Sequence, residues 1–99
     1  MSPKITIDRE HIVGFCRQNH IRKLALFGSV LRDDFGEDSD VDVLIEFEPG
    51  HPVGLIRMAG MEIELTKIIG RKVDMRTPND LSRYFRDKVV AEAEVQYAA

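Results

Sequence analysis

Two acids alternating with apolar residues, Asp40-Val41-Asp42-Val43, constrain this chain more than any other feature in it. The run continues through Leu44 and Ile45 to Phe47, which predicts a strand over residues 41–47. Side chains two apart on a strand share a face. Asp40 and Asp42 therefore project together, with Val41 and Val43 on the other side. Carboxylates this close repel, and one tends to hold a proton unless a cation sits between them. A hard divalent ion, Mg²⁺ or Mn²⁺, is the usual occupant of an all-oxygen site.

Upstream, the apolar run Leu24-Ala25-Leu26-Phe27 stops at Gly28-Ser29. Glycine permits close backbone approach and positive φ. Serine adds a hydroxyl, and successive N–H groups in a turn can cradle phosphate oxygens. The two halves read as a phosphate grip at the end of one strand facing a metal-binding acid pair on the next. Gly28-Ser29 alone would be an ordinary strand-ending turn; the acids downstream give it chemical meaning.

Ninety-nine residues, 43% hydrophobic and 31% charged, suit one small globular domain spanning 1–99. No apolar run approaches the roughly 20 residues a membrane helix needs. Met1-Ser2-Pro3-Lys4 lacks the apolar segment of a signal peptide. The expectation is a cytoplasmic protein with no membrane association. A net charge of −3 argues against broad nucleic-acid binding, which leans on Lys and Arg, and no sequence-specific nucleic-acid contact is expected. Cys16 is the only cysteine, on an expected helix beside Phe15, and reads as a buried inert thiol.

Gly28-Ser29, ten residues, then Asp40-x-Asp42 resembles the signature of DNA polymerase β-type nucleotidyltransferases. The stretch from Leu26 to Phe47, with Arg32 in its loop, is more narrowly similar to the minimal nucleotidyltransferase (MNT) proteins, the MntA-type antitoxins paired with HEPN-domain toxins. The likeness runs from Leu24 to the C-terminus. It implies a small α/β (α+β) fold, a mixed sheet packed by helices. It implies a third catalytic carboxylate at Asp74, on a strand beside the Asp-x-Asp strand. Asp40, Asp42 and Asp74 would then hold two Mg²⁺ ions, while Gly28, Ser29 and Arg32 grip the phosphates of ATP. Arginine's fork suits phosphate, although Arg32 could instead pair with Asp33 or Asp34. Asp33 stands where many members of the superfamily have glycine, which leaves the loop's shape open. The implied activity is Mg²⁺-dependent transfer of AMP from ATP to a tyrosine of the cognate HEPN ribonuclease toxin, silencing it. The acceptor is expected from another protein, in a hetero-oligomer with the toxin. Two alternatives stay open: an antitoxin that acts by contact alone, and a small-molecule nucleotidyltransferase of the antibiotic-modifying type.

The rest of the chain is read for organisation. Asp8 or Thr6 can cap a helix over 8–19, with Ile12, Phe15 and Cys16 as its buried stripe. Ile21–Phe27 reads as a strand buried on both faces. Val30-Leu31-Arg32 can start a helical turn, and Gly36–Ser39 a further turn. Asp33, Asp34, Glu37 and Asp38 read as a solvated acidic loop. His11, His20 and His51 show no metal-ligand spacing. Residues 53–69 read as a helix whose apolar face is Leu55, Ile56, Ala59, Ile63 and Ile69, with Met58 and Met61 as core fillers and Gly70 ending it. Arg71–Arg76 reads as a short strand with Asp74 opposite in facing to Val73 and Met75. Without the resemblance, Asp74 would be a solvent-facing residue on an edge strand. Leu81, Tyr84, Phe85 and Val89 fall at helical intervals, with a break near Arg86 that Asp87 could cap. Residues 94–99 read as a helix extension or a frayed end.

Overall fold

The computed structural model describes residues 7–32, 36, 39–50 and 53–99. Residues 1–5, Thr6, His51 and the acidic residues Asp33, Asp34, Glu37 and Asp38 lie outside the described residues. The first helix, α1 (Arg9–Gln18), starts where Asp8 accepts hydrogen bonds from the backbone N–H groups of Glu10 and His11. Those N–H groups have no partner within the helix, which is why a short acid serves there. Ile12, Phe15 and Cys16 are its buried side chains, as the spacing predicts. Burial pushes the Cys16 thiol up to about 12, so it stays protonated and unreactive.

Four strands follow: β1 (Ile21–Phe27), β2 (Val41–Phe47), β3 (Val73–Arg76) and β4 (Glu94–Ala98). They form one mixed sheet in the order β3-β2-β1-β4. β1 pairs antiparallel with both β2 and β4, and β2 pairs parallel with β3. A parallel neighbour needs a crossover, and the chain supplies it with α2 (Leu55–Ile69), which ends at Gly70 in the left-handed conformation with φ 80°. Edge strand β3 is tied to that helix through its backbone: Thr66 Oγ1 accepts from Val73 N at 3.2 Å and Glu62 Oε2 from Met75 N at 2.9 Å. The last helix, α3 (Arg86–Glu92), follows a turn and leads into β4.

The sheet is covered unequally. On one face Leu24, Leu26, Val41, Val43, Ile45, Val73 and Met75 pack with the buried side chains of α1 and α2. On the other, among the described residues, only Ala25, Leu44 and Leu81 are buried together, with Phe27, Val89, Val90 and Ala93 against them. Leu24, Ala25 and Leu26 are all fully buried, so the continuous apolar run of β1 does mark a strand covered on both sides.

Three expectations are corrected. The buried stripe of α2 is Met61 and Leu65, flanked by Met58, Ile68 and Ile69. Leu55 and Ile56 are 89% and 91% exposed, and Ala59 and Ile63 are exposed too. This helix is apolar most of the way round, so two stripes satisfy helical spacing and only docking on the sheet selects between them. Residues 94–98 are a strand, not an extended or frayed helix. β1 offers an open edge that pairs with their backbone groups. Finally, the break expected near Arg86 is present, but the segment before it, from Leu81, is not helical. A turn at 83–85 leaves Tyr84 84% exposed, and α3 begins at Arg86 after Phe85, with Asp87 in its first turn rather than at its cap.

Among the described residues, no helix is long and apolar enough to cross a membrane.

Candidate active site

The two acid-bearing strands meet in register. Asp42 of β2 lies opposite Asp74 of β3, and on the other side Asp42 lies opposite Phe27 of β1. Val41 and Val43 are fully buried in the larger core, as are Val73 and, nearly so, Met75. Alternation then places Asp42 and Asp74 on the opposite face, the thinly covered one that also holds Leu44. Asp40 immediately precedes β2 and is exposed, with Lys72 Nζ 4.0 Å from its carboxylate. All three sequence-derived acids therefore gather at one end of one face.

Gly28 completes this end from β1. It has φ 75°, a conformation that L side chains rarely adopt. A Cβ there would also collide with the Asp42 carboxylate. The glycine is thus required twice, for its backbone angle and because the acid lies directly over it. Gly28–Leu31 forms a 3₁₀ turn that buries Val30 and Leu31 and carries Ser29; Arg32 closes it, donating its N–H to the Ser29 carbonyl at 2.9 Å. The expected helical turn is present and begins at the glycine itself. Behind Asp40, the loop is braced by Arg71, whose guanidinium donates to the carbonyls of Gly36 and Ser39. Gly36 and Ser39 close a turn, Ser39 N donating to Gly36 O and Gly36 N to Ser39 Oγ, each at 3.1 Å.

The electrostatics follow from this crowding. Burial, then the carboxylates of Asp74 and Asp40, raise the Asp42 carboxyl above its ordinary range; the guanidinium groups of Arg76 and Arg32 act in the opposite sense. Asp74 is engaged by Arg76 at 3.2 Å, two residues along the same strand. That pairing holds the Arg76 guanidinium more firmly in its charged form. Among the described residues, no three acidic, histidine or cysteine side chains surround a common point closely enough to hold a metal ion. The donor chemistry nevertheless fits a hard divalent cation: the converging groups are all carboxylates, and the crowded Asp42 is the group such a charge would relieve. Lys72 and Arg76 now occupy the places of counter-charge beside Asp40 and Asp74. Lys72 reaches Asp40 from a segment 32 residues away, whereas Arg76 reaches Asp74 two residues along one strand.

This arrangement has relatives. Residues 9–97 match the nucleotidyltransferase domain model. The chain belongs to the nucleotidyltransferase domain family. Among curated proteins, the protein adenylyltransferase MntA of Thermococcus cleftensis is 32% identical over 72 residues, which cover 73% of this chain and 71% of the relative. A solved structure described as a minimal nucleotidyltransferase superposes with a TM-score of 0.70 at 33% identity, covering 86% of this chain and 85% of the other. Two toxin–antitoxin structures share the fold at 18% identity. One, solved with AMP-PNP, has a TM-score of 0.73 and covers 94% of this chain and 75% of its own. The other, a tri-AMPylated Shewanella oneidensis HEPN toxin in complex with MNT antitoxin, has a TM-score of 0.66 and covers 92% and 70%. The nucleotidyltransferase chain described here therefore has the mixed α/β architecture of the minimal members, with Gly28 lying against Asp42.

Proposed function

We propose that this nucleotidyltransferase, a single minimal domain over 1–99, transfers AMP from ATP to a tyrosine hydroxyl of a cognate HEPN-domain toxin in the cytoplasm and thereby neutralises it. The observation that carries the reading is the register of Asp42 with Asp74 on the open face, with Gly28 against Asp42. The adenylyltransferase name of the Thermococcus relative supports the reaction type. The AMP-PNP complex supports ATP as donor, and the AMPylated toxin complex supports the partner.

In this reading the chain's residues divide the work. The backbone of Gly28 and the hydroxyl of Ser29 hold the β- and γ-phosphates, and Arg32 adds positive charge on the same side. Asp40, Asp42 and Asp74 would hold two Mg²⁺ ions, or Mn²⁺. When bound, these ions neutralise charge building up at the α-phosphate and acidify the acceptor hydroxyl. Asp74 lies on the flank away from Gly28 and takes the proton of that hydroxyl. The acceptor oxygen forms a bond to the α-phosphorus as the bond to pyrophosphate breaks. Arg76 is a positioning residue: its guanidinium holds the Asp74 carboxylate at 3.2 Å. The added phosphate places charge and bulk on the toxin where RNA would bind.

The test is intact-mass spectrometry of this protein and its HEPN partner after incubation with ATP and Mg²⁺, with Asp42→Ala as the control. One or more AMP masses on the HEPN chain, absent with the variant, is the expected result. Co-purification and suppressed toxicity with no added mass would instead establish inhibition by contact. AMP appearing only on hydroxylated small molecules would assign the acceptor to that class.

A further inference from the structure

The outer face of α2 is apolar and uncovered. Ile56 is 91% and Ile63 61% exposed, and Ala59 and Gly60 lie exposed between them. Large apolar side chains grouped on a surface mark a place where another surface docks. We infer that α2 pairs antiparallel with α2 of a second copy of this chain, about a two-fold axis that passes beside Gly60. Pairing there is independent of AMP transfer, because α2 covers the face of the sheet opposite the acids. Both acid-bearing faces of the dimer point away from the contact.

Charge identifies the occupant. Arg57 and Glu64 are exposed and stand on one flank of this face, seven residues apart. Seven residues are two turns, about 10.5 Å along the axis, and helix ion pairs form only at three or four. Among the described residues, neither has an ion-pair partner elsewhere in the chain. A two-fold axis perpendicular to α2 brings the same flank of both copies together with the directions reversed. Each Arg57 then lies level with Glu64 of the second copy, and both pairs close at once. Lys67, the remaining charge on this face, falls level with Gly54 and meets no like charge.

The apolar residues obey the same symmetry. Ile56 and Ile63 are also seven apart, and their midpoint lies one residue from that of Arg57 and Glu64. Each Ile56 therefore meets Ile63 of the second copy in the register that the charges require. The axis falls at Gly60. Glycine inside a helix is destabilising relative to alanine, and a Cβ there would meet nothing within 4 Å in this chain. The monomer's own packing thus gives no reason for it, whereas a second helix crossing at that point comes closer without a side chain in between. Thr66 and Glu62 tie the inner side of α2 to β3, so the outer face is presented on a fixed helix.

Sedimentation velocity of the full chain over a concentration series up to about 500 µM tests the pairing. One helix pair is smaller than a standard interface, so the wild-type dimer is expected to dissociate in the range of about 1–100 µM. Ile56→Asp changes an exposed side chain and is expected to be monomeric throughout, with unchanged circular dichroism. Arg57→Glu and Glu64→Arg are each expected to weaken the dimer about tenfold, and the double exchange to return within about threefold of wild type. A wild-type chain that stays monomeric at about 500 µM overturns the pairing. A dimer that Ile56→Asp leaves intact overturns it too, and charge variants that the double exchange does not rescue overturn the antiparallel register. A monomeric wild-type chain whose HEPN partner is lost on Ile56→Asp would assign the face to the toxin instead.

Discussion

The two faces of the sheet are built from the same alternating strands and have been put to different uses. The face toward α1 and α2 buries a continuous set of large side chains, including Ile12, Leu24, Leu26, Ile45 and Leu65 with no exposed surface. The face toward α3 buries, among the described residues, only Ala25, Leu44 and Leu81. Burial is the main favourable contribution to folding, so the first face supplies most of the stability. The second is left open at one end, and that end holds the acids. Crowding Asp40, Asp42 and Asp74 works against the fold at neutral pH. Stability and chemistry are separated across one layer of strands, and neighbouring residues such as Val41 and Asp42 serve opposite sides.

Core truncation tests that separation most directly. Leu65→Ala should cost about 2–5 kcal/mol, as for other fully buried leucines. Leu81→Ala, on the thin face, should stay under about 2 kcal/mol. Urea denaturation of the two variants measures both, and equal losses would mean that the faces do not differ as argued. Next in size is Gly28→Ala. The left-handed backbone alone penalises a side chain by about 1–2 kcal/mol, and the new Cβ must also displace the Asp42 carboxylate. Gly50 is the control: its φ is 83°, but nothing lies within 4 Å of a Cβ built there. Gly50→Ala should show only the backbone penalty and keep AMP transfer, whereas Gly28→Ala should lose more stability and lose transfer.

The smallest effect is a pH-dependent one. Asp42 holds its proton to higher pH in the folded chain than in the unfolded one. Its contribution to stability therefore falls as pH rises through the window above the ordinary aspartate value of 3.8, and the penalty is fully present once the folded group is ionised. Asp42→Asn should raise the thermal midpoint at neutral pH, and the gain should disappear on acidification below that window. Mg²⁺ should raise the midpoint of the wild-type chain at neutral pH and leave the Asn variant unmoved. A midpoint gain that persists at low pH would mean that like-charge crowding is not what strains this face.

Much of this was legible before any coordinates. β1 and β2 run over the stretches that apolar content and alternation predict, and α1 lies within its predicted span. Gly28 and Asp42 could be paired from spacing and resemblance because the chain between them is a local hairpin-like connection. The misreadings share a cause. Leu55, Ile56, Ala59 and Ile63 were as good a stripe as Met61 and Leu65 by periodicity, and only the sheet distinguishes them. Residues 94–98 have no strong signal of their own, and their strand exists because the β1 edge is available. Tyr84 and Phe85 fall at helical intervals in a segment that the chain spends on a turn.

By itself, the sequence determined which strands carry the acids, which face each acid takes, and that a glycine must sit at the end of β1. Those are consequences of the two-residue strand period and of glycine's φ freedom, both local properties of the backbone. Tertiary structure alone decided that Asp74 stands level with Asp42, that Lys72 lies by Asp40, and that Val89 and Phe27 line one cavity. Each of these joins residues tens of positions apart or depends on the register of a parallel pair. In a hairpin the turn helps to fix register, but a parallel pair joined through a helix has no such turn, so its register comes from the packing of whole elements.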